Sequence, residues 1–156
     1  MNPGRGLRRL RLALFGVMGI ALGMVATAPD SDGADYLDPP EGMPFSAATR
    51  VGDILYLSGE IGTLPDGTLA DGLEAQVRQT MDNLAATMER YGVSFNNVFK
   101  CTVMLDDMSR WGDFNDIYVK YFQPGRLPAR SAFGADGLAL GALVEVECWA
   151  HVPSAE

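Results

Sequence analysis

The stretch DGLEAQVRQTMDNLAATMERYG, residues 71–92, is followed closely by NVFKCTVML, residues 97–105, and together they decide the fold class. In the first, Leu73, Val77, Met81, Leu84, Met88 and Tyr91 recur at spacings of three and four, the signature of one buried face of an α-helix. Asp71, with Glu74 three residues on, resembles a capping box that opens this helix, and Gly92 stops it. Its methionines belong to the core. In the second stretch the alternation has a period of two, which predicts a strand with Cys101, Phe99, Val103 and Leu105 on one face.

Working outward, residues 48–50 and 54–61 form strand-like runs around a turn at Gly52 and Asp53, and a second turn falls at Pro65, Asp66 and Gly67. A second helix is predicted over about residues 109–122, with Trp111, Phe114, Ile117, Tyr118 and Tyr121 inward and Pro124-Gly125 beyond its end. Strands at 130–134 and 142–150 complete the pattern, the last aligning Cys148 with Val144 and Val146. The expected fold is α+β, a single mostly antiparallel sheet with two helices packed on one face. The faces carrying Thr102, Met104, Leu143, Glu145, Glu147 and Trp149 mix apolar with polar residues, a composition that suits an interface better than open solvent.

At 156 residues and 47% hydrophobic, the chain is one domain's worth. Arg5, Arg8, Arg9 and Arg11 precede an uncharged run over residues 12–28 that ends Ala26-Thr27-Ala28, the pattern of a signal peptide or an uncleaved N-terminal anchor. Pro29 disfavours cleavage after that motif. Both outcomes stand, and both place the protein outside the cytoplasm, in the periplasm or beyond; membrane contact is expected only where the leader is retained. Residues 29–43, acidic with Pro39-Pro40, read as a linker, leaving the domain at residues 44–153. From residue 29 onward eight basic residues face twenty acidic ones, a balance of −12 that disfavours nucleic-acid partners.

Two cysteines and one histidine exclude several chemistries. Neither CxxC nor HxxxH spacing occurs, so no metal or cofactor is expected. Cys101 and Cys148 read as buried structural thiols, with a disulfide possible only for Cα atoms within about 7 Å. The residues that carry chemistry are Arg130 and Glu145, within otherwise apolar strand-like segments. A half-buried guanidinium calls for an anion, and its planar fork suits a carboxylate. A glutamate flanked by Val144 and Val146 is suited to handling water or protons. A mutual ion pair is the competing structural explanation.

Phe45-Ser46, Leu57-Ser58-Gly59-Glu60-Ile61-Gly62, QVRQTMDNL at 76–84, Thr102-Val103-Met104-Leu105 with Asp107-Met108, and Asn115-Asp116-Ile117-Tyr118 follow one another in order. In this register the chain resembles the Rid family of reactive intermediate deaminases, the YjgF-like 2-iminobutanoate/2-iminopropanoate deaminases, from about residue 44 to 152. The resemblance implies a chorismate-mutase-like homotrimer with clefts between subunits, and hydrolysis of 2-imino acids to 2-keto acids and ammonia. It assigns carboxylate binding to Arg130 and water positioning to Glu145, with further substrate contacts from Gly59, Ser58, Asn115, Phe45 and the backbone at Ala132.

Three positions depart from the family pattern. Ala132 stands where cysteine is common, Phe45 where tyrosine is frequent, and Glu60 where glutamine is usual. These changes bear on substrate identity more than on reaction class, and they admit larger or aromatic imino acids. An exported copy also raises a second reading, a trimeric small-carboxylate-binding or interaction protein of the cell envelope without catalysis.

Overall fold

A computed structural model describes residues 33–154, so the leader expected at residues 1–28 lies outside the described residues. Nine regular elements follow one another: β1 (Asp35–Leu37), β2 (Ala48–Val51), β3 (Ile54–Leu57), β4 (Glu60–Ile61), α1 (Gly72–Arg90), β5 (Val98–Leu105), α2 (Trp111–Tyr118), β6 (Ala129–Gly134) and β7 (Val144–His151). The strands form one sheet in the order β1-β2-β3-β7-β5-β6, with β4 also paired to β7. Every pairing is antiparallel except that of β5 with β6. A parallel pair needs a long crossover, and α2 lies in the segment that supplies it.

Strand alternation separates two faces. Val144, Val146, Cys148 and Ala150 of β7 are buried, as are Cys101, Val103 and Leu105 of β5 and Leu55 and Leu57 of β3. Against them pack Leu73, Val77, Met81, Leu84 and Met88 of α1 and Phe114, Ile117 and Tyr118 of α2. The predicted helix face is therefore the core face, although Tyr91 is only half-buried. Gln76 is buried too, and its side-chain oxygen accepts from the Leu143 N–H at 2.8 Å, tying α1 to the entrance of β7. Gly62 lets α1 approach: a Cβ there would lie 2.7 Å from the Gln76 Cα.

Four local expectations are revised. Asp71 is the N-cap of α1 but makes no side-chain capping bond, and Glu74 pairs with Arg78 one turn on at 2.8 Å. Phe99 does not share the face of Cys101: the β5–β7 register shifts between Val98 and Lys100, turning Phe99 outward, 41% exposed. The predicted second helix is an α-helical core flanked by 3₁₀ turns at Met108–Arg110 and Val119–Tyr121. Within the stretch expected as linker, β1 pairs with β2, and Asp38 accepts a 2.6 Å hydrogen bond from the Tyr91 hydroxyl.

The cysteines depart from the thiol expectation as well. Cys101 and Cys148 are direct partners across β5 and β7, with Cα atoms 4.1 Å apart, and they form a disulfide. Both are fully buried in the core. Only the pairing of two strands 47 residues apart puts them opposite one another, and sequence alone does not give that register.

Candidate functional site

Glu145 occupies the face of β7 opposite Val144 and Val146, beside Ile61 of β4 and Met104 of β5. The sheet breaks at Ser58 and Gly59, between β3 and β4, and the Glu145 side chain packs into that gap. A Cβ on Gly59 would overlap Glu145 Oε1 and lie 3.0 Å from its Cδ, so glycine is required there by space. The Ser58 hydroxyl donates to the Ser46 carbonyl at 2.6 Å, fixing the break against the segment that carries Phe45. A cavity of about 430 Å³ opens here, lined by Phe45, Ser58, Gly59, Glu60 and Glu145 among others.

Burial raises the Glu145 carboxyl above the ordinary carboxylate value, and the neighbouring Glu147 pushes it further the same way. Glu60 is raised as well, first by burial, while Arg90 and a hydrogen bond with Thr87 act against the shift and Glu145 adds to it. For a carboxyl raised on folding, the protonated form contributes stability below the ordinary value, and this is lost as pH rises through the folded value. Glu60→Gln, which mimics the protonated acid, is therefore expected to raise the melting temperature at pH 7, with the gain vanishing near pH 4. Thermal unfolding at the two pH values checks this, and a variant less stable than wild type at pH 7 contradicts it.

Arg130 lies elsewhere. It pairs with Cys101 in the parallel β5–β6 ladder and so takes the helix-covered side of the sheet. Its guanidinium carbon sits 4.4 Å from the centroid of Trp111, 4.7 Å from that of Tyr118 and 5.7 Å from that of Phe114. Three rings of α2 thus form a cation–π cage. No described carboxylate forms an ion pair with Arg130. The ion pair with Glu145 considered from sequence is absent within the subunit.

On the same helix Asn115 Oδ1 is buried without a hydrogen-bond partner among the described residues, and the Tyr118 hydroxyl lies beside the Arg130 guanidinium. Burial pushes the Tyr118 hydroxyl up to about 12, with the nearby Arg130 charge opposing the shift. Ala132, two residues along β6, shares the face of Arg130 by strand alternation.

The expected site residues therefore fall into two groups. Phe45, Ser58, Gly59 and Glu145 are gathered around one cavity, whereas Arg130, Ala132 and Asn115 are not part of its lining. The aromatic cage was missed: Trp111, Phe114 and Tyr118 were read as plain core, and only the β5–β6 pairing brings Arg130 beneath them. Met43 and Leu140 at the cavity were missed too, because neither belongs to a periodic element. Among the described residues no cluster of metal-ligating side chains occurs.

A mixed sheet backed by two helices, with a carboxylate cavity at a strand break, defines an α+β protein of the L-PSP type. Residues 38–152 match the family model described as Endoribonuclease L-PSP, and the chain belongs to this family, to which the Rid proteins also belong. It is 40% identical over 106 residues to the 2-iminobutanoate/2-iminopropanoate deaminase of Mus musculus, covering 67% of this chain and 78% of the relative. It is 34% identical over 107 residues to Reactive Intermediate Deaminase A, chloroplastic, of Arabidopsis thaliana, covering 67% of this chain and 57% of that one. Among solved structures, RidA from the Antarctic bacterium Psychrobacter sp. superposes with a TM-score of 0.69 at 33% identity, covering 73% of this chain and 93% of its own.

Proposed function

We propose that the protein hydrolyses reactive 2-imino acids to 2-keto acids and ammonia, with Arg130 binding the substrate carboxylate and Glu145 handling the water. The observation that carries this is a guanidinium held in an aromatic cage without a carboxylate partner, in a chain whose relatives include deaminases of 2-imino acids. Half-buried and without an ion-pair partner among the described residues, such a charge is stabilised by an incoming anion. Glu145 and Arg130 occupy opposite sides of the sheet, so one subunit does not bring them together. We place the complete site between neighbours in a homotrimer, Glu145 from one subunit and Arg130 from the next. The mixed open face bearing Glu147, Trp149, Phe99 and Phe133 supports such burial.

In this site the substrate enters as an iminium. Glu145 takes a proton from water as the water oxygen bonds to C2, and the C=N π pair passes to nitrogen. Glu145 then returns the proton to the amino group. As the C–N bond breaks, C=O forms from the hydroxyl, whose proton passes to Glu145 and on to the departing ammonia, which leaves as ammonium and restores the carboxylate. Orientation by the arginine and proton transfer by a raised carboxylate are the two contributions required of the protein.

The family description names an endoribonuclease, but the acidic body after residue 28 argues against RNA as partner. Export is part of the proposal. The leader pattern supports it, and the Cys101–Cys148 disulfide fits an oxidising compartment.

Arg130→Lys is expected to keep the fold and weaken binding of small 2-keto acids roughly ten- to a hundredfold, because an ammonium cannot reproduce two parallel N–H bonds. Calorimetric titration measures this. Equal affinity in the lysine variant removes Arg130 from the site. For activity itself, imines generated by an amino-acid oxidase, with and without the purified protein, give the rate above spontaneous hydrolysis.

A further inference from the structure

We propose that the cavity beside Glu145 is a side-chain pocket that selects imino acids with large apolar substituents, with Met43, Phe45 and Leu140 as its walls. The inference rests on the deaminase reading and names its substrate class. Three observations lead to it. The cavity measures about 430 Å³, within the range that takes whole small-molecule ligands, and a methyl or ethyl group would leave most of it unfilled. Its lining is mainly apolar, including Ala47 and Ile61 besides the three walls, while Ser58, Glu60 and Glu145 supply the polar groups, Glu145 at the reacting end. The walls are exposed: Met43 at 53%, Phe45 at 46% and Leu140 at 74%.

Exposed large apolar residues scattered singly need no explanation, but three around one cavity do. Leu140 is the most informative of them. It sits in the 3₁₀ turn Ala139–Gly141 with φ 57° and ψ 12°, a left-handed conformation in which a leucine is strained. Within the subunit, an exposed side chain gains little from burial to offset that strain. The neighbouring Gly141, at φ 76°, shows that the turn geometry suits glycine. Contact from outside the subunit offsets that strain, and the place of Leu140 in the cavity lining assigns the contact to a ligand. Phe45 acts in the same sense, since an aromatic wall without a hydroxyl favours apolar over polar substituents.

The test compares imines generated from alanine, leucine and phenylalanine by an amino-acid oxidase, together with calorimetric binding of the matching 2-keto acids. The expected kcat/KM is at least tenfold higher for the leucine and phenylalanine imines than for the alanine imine, the lower end of what a methylene is worth in an apolar pocket. Leu140→Gly, suited to the left-handed turn, is expected to reduce that ratio at least threefold without changing the oligomeric state. Flat rates and flat affinities across the series overturn the pocket inference while leaving deamination in place. Acceleration of no imine, with the large keto acids still bound tenfold more tightly than pyruvate, overturns the deaminase reading and supports the pocket. An unchanged ratio in Leu140→Gly, with altered assembly, assigns Leu140 to a subunit contact and removes it from the pocket.

Discussion

Glu145→Gln lowers the rate of imine hydrolysis by about 10²–10⁴-fold while leaving the affinity for small 2-keto acids close to that of wild type, the expected outcome when a general base is removed without loss of shape. Glutamine keeps the size that fills the gap over Gly59, but it takes no proton from water. The pH profile carries a second signature. Because burial and Glu147 raise the Glu145 carboxyl, the base is lost on acidification at a higher pH than for an ordinary glutamate. In wild type, the acid limb of kcat/KM should lie correspondingly above the usual carboxylate value, and activity should rise with pH through it. In Glu145→Gln that limb disappears from the residual rate. A structural role predicts a different set of results: activity changing only with the folded fraction, and the acid limb unchanged in the variant. An unchanged rate with unchanged affinity would favour the non-catalytic carboxylate-binding protein.

The disulfide should dominate stability. Cys101 and Cys148 are 47 residues apart in sequence, and closing a loop of that length restricts the unfolded chain by about 4 kcal/mol on the entropic account. Replacing both by alanine removes this constraint and adds the cost of a small core cavity. The melting temperature should fall by roughly 10–15 °C for a domain of this size. Unfolding in guanidinium with and without reductant separates the two effects, since reduction leaves core volume nearly unchanged. A reduced wild type with the oxidised midpoint would show that the bond contributes nothing.

The sequence carried the elements and much of one site half. Leu73 to Met88 announced α1 and its buried face because a helix period is local, and Val144 to Ala150 announced β7 for the same reason. Glu145 stood out as a carboxylate between two valines and Gly59 came from resemblance, but their steric dependence emerges only where β4 pairs with β7. The cage around Arg130 was illegible because it depends on one parallel pairing in a sheet otherwise antiparallel. Phe99 was placed on the wrong face because a bulge breaks a period of two without leaving a glycine or proline to mark it. Leu140 escaped notice because no local signal predicts a leucine at positive φ.

The central claim is that Arg130 of one subunit and Glu145 of its neighbour make a single site. Subunit mixing tests it most directly. Arg130→Ala and Glu145→Gln are each prepared as inactive proteins, dissociated, combined in equal amounts and reassembled. If neighbours share the site, about a quarter of the sites in a random trimer pair the intact Arg130 of one variant with the intact Glu145 of the other, so about a quarter of wild-type activity returns. If both residues act from within one chain, every site lacks one of them. Mixed assemblies that form but stay as inactive as their parents would contradict the account.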